Sequence, residues 1–150
     1  MIYAMNSTSF KDDQYKGEIM SSEKFVEGAK IAKQERFLDK RIMDIFLSIG
    51  IPAHLQGYQY LKESVKMVIS DPTLINSITK RLYPEVAKIY DTTACRVERG
   101  IRHALEVAYT KGRIVLLNEL FGVNALTDAE KPTNSEFVAL IADRLSLEVR

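Results

Sequence analysis

Arginine, glutamate and histidine side chains are concentrated between Thr92 and Ala108, at spacings that fit one helix. On a helical wheel of about 100° per residue, one side is apolar and holds Ala94, Val97, Ile101, Ala104, Leu105 and Ala108. The other side holds Cys95, Arg96, Arg99, Arg102, His103 and Glu106. Such side chains, facing away from a core, are able to contact base edges and phosphates in a DNA groove. The same pattern also fits a helix face that is only solvated.

The chain as a whole is close to neutral, with 150 residues and a formal net charge of +1. Its length fits one domain with a substantial core. Positive charge is clustered, because Thr92 to Arg113 contains five basic and two acidic side chains. Any nucleic-acid contact must therefore come from a local patch rather than from the whole surface.

Cysteine and hydropathy patterns indicate a cytoplasmic protein. Cys95 is the single cysteine, so neither an intrachain disulfide nor a thiolate metal cluster can form. No run approaches the roughly 20 apolar residues of a membrane span, and the N-terminus lacks a secretory signal pattern. We expect no membrane association and no cofactor.

The N-terminal part lacks a sustained period. Residues Met1 to Met20 are expected to be loosely ordered. The segment Ser22–Ile49 is compatible with one helix or two, with Gly28 as a weak point. We therefore divide the chain into an N-terminal arm over 1–34, partly disordered or helical, and a DNA-binding domain over 35–150.

Proline, glycine and capping residues divide the domain into helices. Helices are predicted from Pro52 to Ser70, over Thr73–Tyr83, over Pro84–Tyr90, from Thr92 to Thr110, over Ile114–Phe121 and from Thr133 onward. No stretch alternates with period two, so the predicted fold is all-α, a compact bundle of about six helices. The short helix before Asp91 and the longer one after it predict a helix-turn-helix.

Two helix starts carry specific signals. Asp91 tolerates the left-handed conformation that such a turn needs, and Thr92 or Thr93 is expected to cap the following helix. Backbone N–H groups at that start are able to bind a phosphate. Thr133 and Glu136 have capping-box spacing, which predicts the start of the last helix.

Several stretches resemble a known family. They are Ile51-Pro52-Ala53-His54 with Gly57-Tyr58-Gln59-Tyr60-Leu61, Ser77-Ile78-Thr79-Lys80 with Leu82-Tyr83-Pro84, Arg96-Val97-Glu98-Arg99 with Ile101-Arg102-His103-Ala104, and Lys131-Pro132-Thr133-Asn134-Ser135-Glu136-Phe137. Together, in order from about Ile42 to Glu148, they are similar to the DNA-binding effector domain of the stage-zero sporulation response regulator, protein A, of endospore-forming bacteria.

The resemblance implies a sequence-specific transcriptional regulator whose recognition helix enters the major groove of double-stranded DNA. Arg99 or Arg102 is then expected at guanine and Glu98 at a cytosine amino group. Arg96 and His103 are expected mainly at phosphates. The DNA-binding residues predicted in this way are Thr92, Thr93, Cys95, Arg96, Glu98, Arg99, Arg102, His103, Asn134 and Ser135.

The sequence also departs from the family. Cys95 and Gly100 replace residues that are common there, and Gly100 is expected to soften the recognition helix. The segment before Ile42 is too short for the family's receiver domain, so the chain is either a stand-alone paralogue, which we expect, or a truncated form of a longer regulator. An RNA polymerase sigma subunit and a second copy on tandem sites are further candidate partners.

Two other classes of function differ from DNA binding in the residues that they require. The alternative to DNA binding is a protein-interaction module that modulates a full-length regulator or RNA polymerase, through Ser22–Ile49 or Ile114–Leu120. An enzyme is not expected, because His54 and His103 are the only histidines and no nucleophile, metal or phosphate-loop pattern is present.

Overall fold

The computed structural model describes the backbone of residues 8–149 and the side chains of residues 22–149. The chain divides between Phe37 and Leu38 into two compact units. The α-helices of the described part are α1 (Thr8–Ile49), α2 (Gln56–Ser70), α3 (Tyr83–Ile89), α4 (Ala94–Thr110), α5 (Leu116–Phe121) and α6 (Asn134–Glu148). No strand occurs between residues 8 and 149, which confirms the predicted all-α fold.

The first helix, α1, is continuous. The segment Ser22–Ile49, for which one helix or two were predicted, is therefore part of a single helix. It begins at Thr8, so the residues expected to be loosely ordered are helical from that point, and residues 1–7 lie outside the described part. Gly28 does not interrupt it. Phe25, an apolar residue of this helix, is 78% exposed. Of the helices described, none is both long and apolar enough to cross a membrane.

The core of the second unit is centred on Phe46, whose side chain is fully buried at the end of α1. Its ring meets Tyr58 of α2 edge to face at 5.4 Å and Phe137 of α6 at 6.2 Å. Ile42 and Ile45 are buried beside it. Aromatic pairs at these separations add to the free energy of apolar burial, so α1, α2 and α6 share one core.

The helix predicted over Thr73–Tyr83 is wrong. A 3-10 helix over Pro72–Asn76 and a π-helical segment over Ile78–Leu82 replace it. The Asp71 carboxylate accepts hydrogen bonds from the backbone and hydroxyl of Thr73 at 3.1 and 2.5 Å, and Ser77 has φ −141°. Asp71 thereby caps the 3-10 helix, and the non-helical conformation of Ser77 separates this helix from the π-helical segment.

The C-terminal helices have the ends that the sequence predicted. Gly122 adopts φ +65° after α5, a left-handed conformation that glycine takes without strain. Before α6, the Thr133 hydroxyl accepts from the Glu136 N–H at 3.2 Å, and the Glu136 carboxylate accepts from the Thr133 N–H at 3.3 Å. The capping box is confirmed, and it determines where α6 begins.

An ion pair connects the two ends of the second unit. Arg41 in α1 donates two hydrogen bonds to the Glu148 carboxylate at the end of α6, at 2.7 and 2.9 Å. Bidentate pairs of this kind are stronger than single contacts between the same groups. Hydrogen bonding by Arg41 holds the pKa of Glu148 below its ordinary value.

This pair makes stability depend on pH. Because the pKa of Glu148 is lowered in the folded state, its stabilisation is fully present above about pH 4.3 and is lost as pH falls through the lowered value. We predict that Glu148→Gln lowers the melting temperature at pH 7 and reduces its fall between pH 5 and pH 2.

Thermal unfolding followed by circular dichroism over this pH range measures the effect. Glu130→Gln is the control, because Glu130 is exposed and forms no ion pair with any residue of the described part. Equal pH profiles for the wild type and Glu148→Gln would show that the Arg41 pair contributes nothing.

Candidate nucleic-acid interface

A tight turn joins α3 to α4. Asp91 has φ +48°, which confirms the predicted left-handed residue. The N–H of Thr92 donates to the Ala87 carbonyl at 2.9 Å, and the N–H of Asp91 donates to the Lys88 carbonyl at 3.4 Å. These two bonds form the Schellman arrangement that ends α3. The next helix begins only a few residues later, so α3 and α4 are held in a defined relation.

Thr93 caps α4. Its hydroxyl accepts a hydrogen bond from the N–H of Arg96 at 3.2 Å. We predicted Thr92 or Thr93 as the cap of this helix, and the structure shows that the cap is Thr93. A cap of this kind contributes about 0.5–2 kcal/mol to helix stability. The first turn of α4, which carries Cys95 and Arg96, is thereby ordered.

The two faces of α4 are as the helical wheel predicted. Val97, Ile101, Ala104, Leu105 and Ala108 are fully buried, and Ala94 is half-buried against them. The exposed residues of the opposite face are Cys95, Arg96, Arg99, Arg102, His103 and Glu106. We call these six residues the exposed face of α4. Its orientation follows from burial of the other side.

Two glycines bring α2 and α4 into backbone contact. A Cβ atom at Gly57 would lie 2.0 Å from the carbonyl oxygen of Gly100 and 2.9 Å from the Cβ atom of Ala104. A Cβ atom at Gly100 would lie 2.9 Å from the ring of Tyr60, and that ring packs edge to face on Tyr90 at 5.4 Å. We expected Gly100 to soften α4. In the structure this glycine also leaves room for the Tyr60 ring.

Charges on α4 differ in how they are paired. Arg102 donates to the Glu98 carboxylate at 2.5 Å, one helical turn away. Arg96, Arg99 and His103 form no ion pair with any described residue. An exposed i,i+4 pair contributes only a few tenths of a kcal/mol. The pair therefore orients Arg102 without removing its capacity to bind an external acceptor.

A groove with a volume of about 820 Å³ lies beside this helix. It is bordered by the segment from Ile75 to Lys80, by α4 and by the start of α6. Lys80, Arg102 and Lys131 are its basic residues, and Glu98 is its acidic one. Lys80 and Lys131 were not among the predicted site residues, because their place beside α4 depends on contacts between distant segments.

Asn134 was predicted to bind DNA, but its side chain already has protein partners. Its amide donates to the Tyr83 hydroxyl at 3.1 Å and to the Glu98 carbonyl at 3.2 Å. Burial raises the pKa of Tyr83, and the hydrogen bond from Asn134 opposes that shift. Ser135 is exposed at the start of α6 and borders the groove.

The structure thus places the predicted residues on α4, on the turn before it and at the start of α6. Thr92, Thr93, Cys95 and Arg96 lie at the beginning of α4, and Glu98, Arg99, Arg102 and His103 follow along it. Asn134 and Ser135 lie at the groove beside Glu98 and Arg102. Within the part of the chain that is described, no three His, Cys, Asp or Glu side chains are placed to hold a metal ion.

The contact of Gly57 with Gly100 has a measurable consequence. We predict that Gly57→Ala lowers the free energy of unfolding by about 1–3 kcal/mol or more, because the added methyl group must push α4 away. Urea unfolding followed by circular dichroism measures this.

Gly28→Ala is the matched control, since Gly28 is also in a helix but a Cβ atom there would meet no atom within 4 Å. We expect it to leave stability unchanged or to raise it by up to about 1 kcal/mol. A Gly57→Ala variant as stable as the wild type would show that α2 and α4 are not closely packed.

Comparison with protein families agrees with this arrangement. The family model for the sporulation initiation factor Spo0A C terminal matches residues 42–145, which is more than half of the chain. The matched range contains α2 to α5, most of α6 and all the predicted contact residues. Members of this family are DNA-binding effector domains of a sporulation regulator. The chain therefore belongs to the Spo0A C-terminal family.

Proposed function

We propose that this domain binds double-stranded DNA in a sequence-specific manner and regulates transcription in the cytoplasm, without catalysis. In this proposal α3 and α4 form a helix-turn-helix, and α4 enters the major groove. The observation that supports it most is the exposed face of α4, which carries three arginines on a helix that is capped and closely packed.

Base readout is assigned to the middle of α4. Arg99 is exposed and forms no ion pair among the described residues, so its guanidinium is available for a bidentate contact with guanine O6 and N7. Arg102 and Glu98 form a pair, in which Arg102 suits guanine and Glu98 suits a cytosine amino group. Because Arg102 and Glu98 are one helical turn apart, both side chains are able to reach base edges in the same groove.

Phosphate contacts are assigned to the ends of this surface. Arg96 and His103 flank the reading positions, and the N–H groups of Ala94 and Cys95 lie at the start of α4, ahead of the Arg96 N–H that Thr93 caps. Lys80 and Lys131 border the groove beside α4, where they add positive charge next to Ser135. Lysines suit phosphates because they act as point charges without base specificity.

Protein partners are proposed for a different surface. Leu116 and Leu120, one turn apart on α5, are 44% and 49% exposed. Contiguous exposed apolar surface is typical of contacts with another protein, and these two leucines are the exposed large apolar side chains of α5. We assign them to an RNA polymerase sigma subunit, and we propose that two copies of the domain occupy tandem DNA sites.

The assignment of Arg99 is tested by mutation. We predict that Arg99→Ala loses about 1–3 kcal/mol of discrimination at one base pair, because one bidentate contact disappears. Fluorescence anisotropy at one stated salt concentration measures it. The duplexes are one preferred sequence, obtained by selection from random DNA, and its single base-pair variants.

Arg96→Ala is the matched control, since Arg96 is exposed on the same helix and also lacks an ion pair with the described residues. We expect it to reduce the slope of log affinity against log salt by about one unit while leaving the ranking of duplexes unchanged. An unchanged ranking for Arg99→Ala would show that Arg99 does not read a base.

A further inference from the structure

The side chain of Asn134 joins three helices. Asn134 is the first residue of α6, and its amide nitrogen donates to the Tyr83 hydroxyl in α3 at 3.1 Å and to the Glu98 carbonyl in α4 at 3.2 Å. An amide nitrogen has two N–H donors, and both have protein acceptors here. Asn134 is therefore poorly placed to donate to a DNA phosphate as well.

The acceptor in α4 is a specific one. In an α-helix the carbonyl of Glu98 also accepts from the N–H of Arg102, four residues later. A carbonyl oxygen has two lone pairs, so it can accept from Arg102 and from Asn134 together. Asn134 thus contacts the one turn of α4 whose two ends carry the Glu98–Arg102 ion pair.

Asn134, which contacts α4, and Tyr83, which contacts Asn134, are both held in place. Tyr83 is only 5% exposed, so its hydroxyl needs a hydrogen-bond partner inside the protein. Asn134 follows the Thr133 cap and the buried Pro132, which restricts the backbone that carries the amide. Movement of this α4 turn would break its hydrogen bond to Asn134, whose amide is also held by the Tyr83 hydroxyl.

We propose that Asn134 is a positioning residue for base readout and makes no contact with DNA. With the Tyr83 hydroxyl it determines where the Glu98–Arg102 turn of α4 lies, and so which base edges that pair reaches. This inference depends on the proposed sequence-specific DNA binding. Displacements of about 1 Å are enough to weaken a bidentate contact, because its two hydrogen bonds require defined geometry.

A double-mutant cycle with Asn134→Ala and Tyr83→Phe tests the inference. The readout is the ratio of affinities for the preferred duplex and for duplexes changed at the base pair that Arg102→Ala stops distinguishing. We expect each single variant to lower this ratio on the order of threefold to tenfold, and the double variant to lower it no further than Asn134→Ala alone does. Affinities are measured at a temperature where every variant is folded by circular dichroism.

Tyr109→Phe is the matched control. Tyr109 is also on α4, and its hydroxyl donates to the Asp128 carbonyl at 2.6 Å. Removing this hydroxyl costs a comparable hydrogen bond far from the Glu98–Arg102 turn. We expect a lower melting temperature and an unchanged affinity ratio.

Other outcomes would overturn the inference. If Asn134→Ala weakens binding to all duplexes equally while Tyr83→Phe has no effect, Asn134 contacts DNA directly. If both variants lower only the melting temperature and keep the ratio, the hydrogen bonds are merely structural. If the wild-type protein prefers no duplex, the proposed function itself fails, and the inference fails with it.

Discussion

The arrangement of this domain depends on the backbone contact between Gly57 in α2 and Gly100 in α4. A side chain at Gly57 would meet the carbonyl oxygen of Gly100 at 2.0 Å, so the two helices cross as closely as their backbones allow. Because Ala104 and Tyr60 complete the contact, α4 is held along its middle and not only at its ends. The close crossing buries the apolar face of α4, and the opposite, charged face remains exposed.

The rigidity of α4 holds its charged side chains in defined positions. A flexible helix would lose conformational entropy on entering a DNA groove, whereas α4 is ordered beforehand by the Thr93 cap, the Gly57 contact and the hydrogen bond from Asn134. The exposed arginines then differ by their partners. Arg102 is oriented by its ion pair with Glu98, so its side chain suits a contact of fixed geometry. Arg99 has no ion pair within the described residues, so its side chain is able to adjust to the group that it contacts.

Local patterns in the sequence predicted most helices and their ends, because caps and helical periodicity depend on residues a few positions apart. Asp91, Thr133 and the buried side of α4 are examples. The break at Ser77 was missed, since Ser77 leaves helical geometry at φ −141° where the sequence has neither glycine nor proline to mark it. The partners of Asn134 were missed because Tyr83 and Glu98 lie 51 and 36 residues away in the chain. Lys80 reaches the groove for the same reason.

Crosslinking from Cys95, the single cysteine of the chain, tests most directly whether the exposed face of α4 meets DNA. A photoactivatable group on its thiol should crosslink to bases inside a selected duplex, and unlabelled duplex of the same sequence should compete. Leu147→Cys in a Cys95→Ser background provides the comparison, because Leu147 is exposed about 20 Å along α6 from Asn134. The account predicts crosslinks from Cys95 and few from position 147. Crosslinks from position 147 with none from Cys95 would contradict it.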